Sequence, residues 1–351
     1  MNCRWVSKEN RNVKCTRKAD SSGYCLFHKE NKSQRQIALF EAYIKKEEIN
    51  DFSGFCFDED FSIKKIINYK YDKLKFCEAK FKKEANFKDF IFEKSVDFTN
   101  AEFKSFVNFN NCIFLNNCIF NKTIFNEKYI NEKVFEKANF NGQKLIVEKC
   151  AYFPRLDGVV FSPYTKFILK DINYSKKNCL CGKNNYKIAR IQAKQTEDNE
   201  NMSYYYYNER NYTSNFLKSS RYKGYSDYLT NEFFDFLSKY IIGYGEKPFR
   251  LLCISVFIIS LFALIYMFTG LNTMDYGLVK INLSKNMYTF NEIIVYYLEA
   301  WYFSMITFST VGYGEIIALG IFGKIFVCLE VFLGITVHAT WTSVLFSRLI
   351  Q

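Results

Sequence analysis

From Phe76 onward the apolar positions fall at Phe76, Phe81, Phe87, Phe92, Phe98, Phe103, Phe109, Phe114, Phe120 and Phe125, in steps that alternate between five and six. The steps then settle to five at Ile130, Phe135, Phe140 and Leu145. Two residues before most centres stands a smaller apolar residue: Ala79, Ala85, Val96, Ala101, Val107, Cys112, Cys118 or Ala138. An eleven-residue period could mean a right-handed coiled coil. It fails here, because residues two apart on a helix point to nearly opposite sides and both members of each pair are apolar. Phe and Asn are also poor helix formers. An ordinary strand fits no better, since period two does not persist. A chain that turns a corner every five residues satisfies the pattern, with centre and smaller partner inward and polar residues outward. Four such sides make a coil of about 20 residues, the unit of a solenoid whose repeats bury a core only by stacking.

Nearer the C-terminus the pattern changes. No charge occurs from Leu251 to Thr269, and a second apolar run extends from about Ile321 to Phe346 with Glu330 and His338 inside it. Each is long enough to cross a hydrocarbon core of about 30 Å at 1.5 Å per residue. Two spans put both termini on one side. Lys239, Lys247 and Arg250 flank the first span and Arg348 follows the second, so that side is expected to be the cytoplasmic face of a cell membrane. Between the spans, Thr289 with Glu292 forms a capping-box pattern. An apolar, aromatic helix too short for a third span follows and runs into Thr310-Val311-Gly312-Tyr313-Gly314. A helix that dips partway in and returns as irregular backbone is tolerated at membrane depth only where it lines a water-filled path. Glycine adopts left-handed backbone at little cost, so Gly312 and Gly314 can help aim successive carbonyls at one axis. The same tripeptide at Gly243–Gly245 lacks a preceding Thr-Val and a dipping helix; it is expected to be a turn before Pro248 and the membrane.

The stretch Thr307 to Glu315, with span, pore helix, filter and span in that order, resembles the two-transmembrane potassium channel family. Glu315 departs from the Asp usual there. The resemblance implies a K+-selective pore whose filter is Thr310, Val311, Gly312, Tyr313 and Gly314. Trp301, Tyr302, Thr307, Glu315 and Glu330 are candidates for filter support, Glu330 by reaching back to the pore helix or filter. One filter strand cannot surround an ion, so a homotetramer is implied. Glu330, an acid inside a span, is a functional candidate by default. Gly334 is either a gating hinge or a close helix contact. His338 and Thr342 share its helix face and are cavity-lining candidates, or merely pack.

The five- and six-residue ladder resembles the pentapeptide-repeat family, a right-handed quadrilateral β-helix, with Phe where Leu is more usual. The expected whole is a multidomain membrane protein: a possible zinc motif at 1–35, the β-helix at 55–175, a helical linker and interfacial helix at 183–245, and an all-α two-span pore module at 246–351. Helix pairs like the one expected around the polar turn Thr196–Asn201 occur in pentapeptide-repeat proteins fused to ion channels.

Charge and cysteines refine this. The formal net charge is +12. From Arg250 on, the five basic residues are matched by five acidic ones, so the excess lies before residue 250. Pentapeptide solenoids that mimic DNA are acidic; this one is basic, which discounts a nucleic-acid role and leaves an unnamed cytoplasmic ligand or protein as the solenoid's partner. The 12 cysteines are expected as free thiols in a reducing cytosol. Cys3, Cys15, Cys25 and His28 make a candidate closed tetrahedral Zn2+ set, the alternative being unligated thiols. Cys179 and Cys181 form a Cys-x-Cys pair expected not to bind metal. With only two histidines, a Ser-His-Asp set cannot assemble, no phosphate-binding loop is visible, and no enzyme is expected. The alternatives to a potassium channel are a membrane-anchored scaffold with an inert pore and a nonselective cation channel.

Overall fold

The computed structural model describes residues 1–67, 70–219, 236, 239, 248–274, 276–281 and 288–349. They form two compact units, Met1–Tyr222 and Lys223–Gln351. The glycine turn at Gly243–Gly245 and most of the interfacial helix lie outside the described residues.

The first unit is a four-sided solenoid. Two-residue strands pair in parallel with the strand one coil later: Cys56 with Lys80 and Lys80 with Glu102 on one side, Leu74 with Val96 and Val96 with Cys118 on another. The register advances by 22 residues per coil from Lys80 to Glu102, not the 20 of four five-residue sides. The extra residue sits at every second corner, in left-handed backbone: Glu78, Asp89, Asn100, Asn111 and Lys122, with φ of 58°, 56°, 55°, 58° and 53°. Such a φ is unfavourable for residues with a Cβ, least so for Asn and Asp. The amide of the corner residue continues the ladder, Glu78 N–H donating to Thr99 O and Asn100 N–H to Asn121 O, both at 2.8 Å.

Both members of each apolar pair point inward. Phenylalanine rings stack along the solenoid in files, Phe52–Phe76–Phe98–Phe120 at 4.8, 5.1 and 5.0 Å and Phe92–Phe114–Phe140 at 4.7 and 4.6 Å. Ala79, Ala85, Ala101, Cys112, Cys118 and Ala138 are fully buried beside them. The five-residue steps after Phe125 do not continue the ladder one rung at a time. Phe135, not Ile130, stacks on Phe109 at 5.0 Å, a step of 26 residues, because a 3-10 turn at Glu127–Tyr129 is inserted. Ile130 is buried as part of that insertion.

Both open ends are covered. At the start, helix Gln34–Lys46 buries Phe40 and Ile44, and Phe40 packs on Phe55 and Phe57 at 6.0 and 5.4 Å. At the other end, helices Cys179–Gln195 and Asn199–Ser219 pack with the solenoid unit. Tyrosine hydroxyls occupy ladder positions there: Leu169 N–H donates to Tyr205 Oη (3.2 Å), which donates to Phe167 O (3.1 Å), and Tyr174 N–H donates to Tyr212 Oη (3.1 Å). An exposed strand edge invites pairing with another chain, and these tyrosines close it. The expected linker helices are therefore a cap.

The second unit holds two helices long and apolar enough to span a membrane, Pro248–Thr269 and Gly320–Leu349, with the pore helix Phe290–Phe308 between them. The capping box forms: Thr289 Oγ1 accepts from Glu292 N–H and the Glu292 carboxylate from Thr289 N–H. To these helices the structure adds a small antiparallel sheet, in which Leu271–Thr273 pairs with Gly277–Val279 on one side and Ile317–Ala318 on the other. It ties the segment after the filter to the loop after the first span.

Candidate ion-conducting site and metal centre

The pore helix ends at Phe308, and its last turn holds the strand that follows. Thr310 N–H donates to Thr307 O (3.0 Å); Val311 and Gly312 N–H both reach Ile306 O, at 2.9 and 3.2 Å. The backbone then alternates. Thr310, Gly312 and Gly314 have φ of 60°, 55° and 88°, separated by Val311 and Tyr313 in ordinary conformations. This alternation turns successive carbonyls toward one side of the strand. Two of the left-handed positions are the expected glycines. Thr310 is β-branched and strained there, held by its bond to Thr307. Val311 and Tyr313 are 53% and 69% exposed, so the strand is open along one flank. A hollow of about 560 Å³ lies between strand, pore helix and second span, lined by Phe303, Ile306, Thr307, Val327 and Val331.

The supporting residues divide into groups. Tyr302 Oη donates to the Glu315 carboxylate, joining the pore helix to the residue after the filter. Thr307 is buried and caps the start of the strand. Trp301 turns the other way: its indole N–H donates to Ser260 Oγ at 3.3 Å, fixing the pore helix to the first span instead of the filter. Glu330 is fully buried and reaches the pore helix at Ser304 and the first span at Tyr266 Oη, 2.7 Å away. At Gly334 a Cβ would lie 2.0 Å from Phe308 O, so the glycine makes a close helix contact. The His338 ring is 5.8 Å from that of Phe308, and Thr342 Oγ1 donates to His338 O (2.9 Å).

In the first unit, Cys3, Cys15, Cys25 and His28 converge, their donor atoms all within 4.8 Å of one another. Cys25 Sγ lies 3.1 Å and Cys3 Sγ 3.5 Å from His28 Nδ1, and Cys15 Sγ is 3.8 Å from Cys25 Sγ. Tetrahedral zinc, with bonds of about 2.3 Å to sulfur and 2.0–2.1 Å to nitrogen, requires donor separations of this size. His28 Nε2 is 3.0 Å from Ser53 O; an N–H donated there leaves the Nδ1 lone pair facing the thiols, the outer bond that orients metal-binding histidines. Trp5 stacks on the ring at 4.6 Å. Burial pushes the Cys25 thiol up to about 12 and the His28 imidazole down to about 4. A buried neutral cluster of this composition suits a dication that takes the place of the thiol protons. Cys179 and Cys181 instead direct their thiols to the carbonyls of Ser175 and Phe153.

Residues 276–351 match the family model described as ion channel, and residues 87–127 match that of pentapeptide repeats. This chain joins a pentapeptide-repeat solenoid to an ion-channel domain. No curated protein and no solved structure matches it. The matched ion-channel residues take in the pore helix, the filter strand and the second apolar helix, while the first apolar helix precedes them. Together the match and the two helices point to a membrane protein with two spans.

Three residues of the channel domain escaped sequence reasoning. Ser260, Tyr266 and Ser304 each put a hydroxyl inside an apolar helix and each is partnered across helices. The available signal was that a polar atom in a span needs an internal partner.

Proposed function

We propose that this protein is a homotetrameric, potassium-selective channel that passes K+ down its gradient and performs no covalent chemistry. The observation that carries the reading is the alternating backbone of Thr310–Gly314, left-handed at 310, 312 and 314 and anchored to the end of a pore helix. Rings of carbonyls from four such strands replace an ion's hydration shell. The Thr310 hydroxyl extends the column inward. The exposed flank of Val311 and Tyr313 and the apolar hollow beside it are surfaces that neighbouring chains around a fourfold axis would cover. Tyr302 and Glu315 brace the outer end of each strand, and the negative end of the pore-helix dipole faces the permeating cation. His338 and Thr342 line the cavity below. The basic residues beside both spans support the reading that the solenoid and both termini face the cytoplasm at a cell membrane.

Cys3, Cys15, Cys25 and His28 hold Zn2+ as a closed structural site. Three thiolates and one imidazole from these residues would fill the four positions of a tetrahedral zinc, which would cross-link the fold and take no substrate. His28 is held by Ser53 and Trp5, and Cys56 N–H donates to Phe27 O at 2.9 Å beside it, so the site secures the N-terminal segment to the first coil. Purified protein in liposomes tests the channel reading: a K+ gradient should drive flux that Na+ does not support. Absence of flux from assembled protein rejects it.

A further inference from the structure

The second span meets the pore helix at two contacts one helical turn apart on both elements. At the first, the buried carboxyl of Glu330 touches Ser304, whose hydroxyl also lies 2.9 Å from Ile259 O of the first span. The other carboxyl oxygen accepts from Tyr266 of the first span at 2.7 Å. One carboxyl group thus joins all three helices, and Tyr266, Ser304 and Glu330 are each wholly buried. Among the described residues no ion pair reaches it; its partners are hydroxyls. At the second contact, Gly334 lies so close to Phe308 O that a Cβ would sit 2.0 Å from it. Phe308 is the last residue of the pore helix, and Ile306, on the same turn, accepts the amides of Val311 and Gly312. A shift of the pore helix along the second span therefore carries the filter with it.

We propose that Glu330 and Gly334 are positioning residues that fix the height of the pore helix against the second span and so hold the filter in its selective geometry. This rests on the channel reading. A carboxyl surrounded by hydroxyls can be replaced by a carboxamide, which accepts from Tyr266 through Oε1 and donates to Ser304 through Nε2. A leucine fills the space but leaves the Tyr266 hydroxyl without its acceptor and cuts Ser304 from the second span, leaving it only its bond to Ile259 O.

The test uses full-length wild type, E330Q and E330L in liposomes, with tetramer content checked by size. Two readouts are taken: the K+/Na+ permeability ratio, and hydrogen exchange across residues 304–314, which does not depend on conduction. The expected result is a wild-type ratio and exchange in E330Q, with E330L losing about tenfold in ratio, or 1.4 kcal/mol, and exchanging faster at Val311 and Gly312. Should E330L fail to assemble, S304A and Y266F each remove one hydroxyl at the same junction, and the same two changes are expected in smaller measure. Unchanged exchange and ratio in the assembled variants overturn the proposal, as does an E330Q that behaves like E330L. A nonselective wild type would reject the channel reading alone, and faster exchange in E330L would still support the junction's role.

Discussion

Truncating Phe103 to alanine removes a ring that is 1% exposed and sits in the middle of a file. It stacks on Phe81 at 4.8 Å and on Phe125 at 5.4 Å, and it meets Phe98 and Phe109 across the core at 6.0 and 6.3 Å. Losing a buried phenylalanine costs about 3–5 kcal/mol. Stacked aromatic neighbours add about 0.5–1.5 kcal/mol per pair beyond buried area, so the upper end of that range is expected. That is a third or more of the roughly 5–15 kcal/mol that stabilises an ordinary domain. The neighbouring Lys104 points outward, with a side chain 46% exposed and one contact to Glu102 at 3.6 Å. Its replacement by alanine should cost under about 0.5 kcal/mol. Urea titration of the full-length protein in detergent, read by protease cleavage within residues 55–175, compares the two variants. Phe103→Ala should move the midpoint far below wild type and Lys104→Ala should leave it in place. Equal shifts would mean that the inward and outward faces of the solenoid have been exchanged.

Gly312→Ala is expected to abolish K+ conduction while the tetramer still forms. The added Cβ meets nothing within 4 Å in its own chain, so the cost is the left-handed backbone, about 1–2 kcal/mol per chain. Selective current in that variant would remove the filter from this site. Elemental analysis should find one zinc per chain, lost in the double variant Cys25→Ser, His28→Ala; metal-free wild type purified at neutral pH without chelator would leave four unligated side chains. Burial raises the Asp58 carboxyl, but bonds from Lys82 Nζ and the amides of Lys32 and Asn31 outweigh it and hold the group at about 2. Its folded value is depressed, so its contribution is present above the unfolded value of about 3.9 and is lost as pH falls from there through 2. Amide exchange at residues 31 and 32 should accelerate over that window in wild type and show no such step in Asp58→Asn.

The core of the solenoid was legible because Phe at five- and six-residue steps with a small residue two before it has few other solutions. The coil length was not read correctly, although the alternation carried it. Two sides hold eleven residues, and the extra one needs left-handed backbone that Glu78 and Lys122 do not advertise. The insertion before Phe135 was hidden because Ile130 keeps the five-residue spacing while sitting off the ladder. In the channel domain the glycines marked two left-handed positions; Thr310, the third, is imposed by the pore helix above it and has no local signal. The small sheet that joins the loop after the first span to the segment after the filter has strands of two and three residues, too short for any alternation to show. The junction at Glu330 was half visible: the acid stood out in an apolar helix, while its partners Ser304 and Tyr266 are ordinary residues until the three helices meet.

The most direct test of a potassium-selective pore is the reversal potential of purified full-length protein in planar bilayers, with K+ on one side and Na+ on the other. A filter built from four Thr310–Gly314 strands predicts current that reverses near the K+ equilibrium potential and disappears in Gly312→Ala. A reversal potential near zero under the same gradient, or no current from assembled protein, would contradict it.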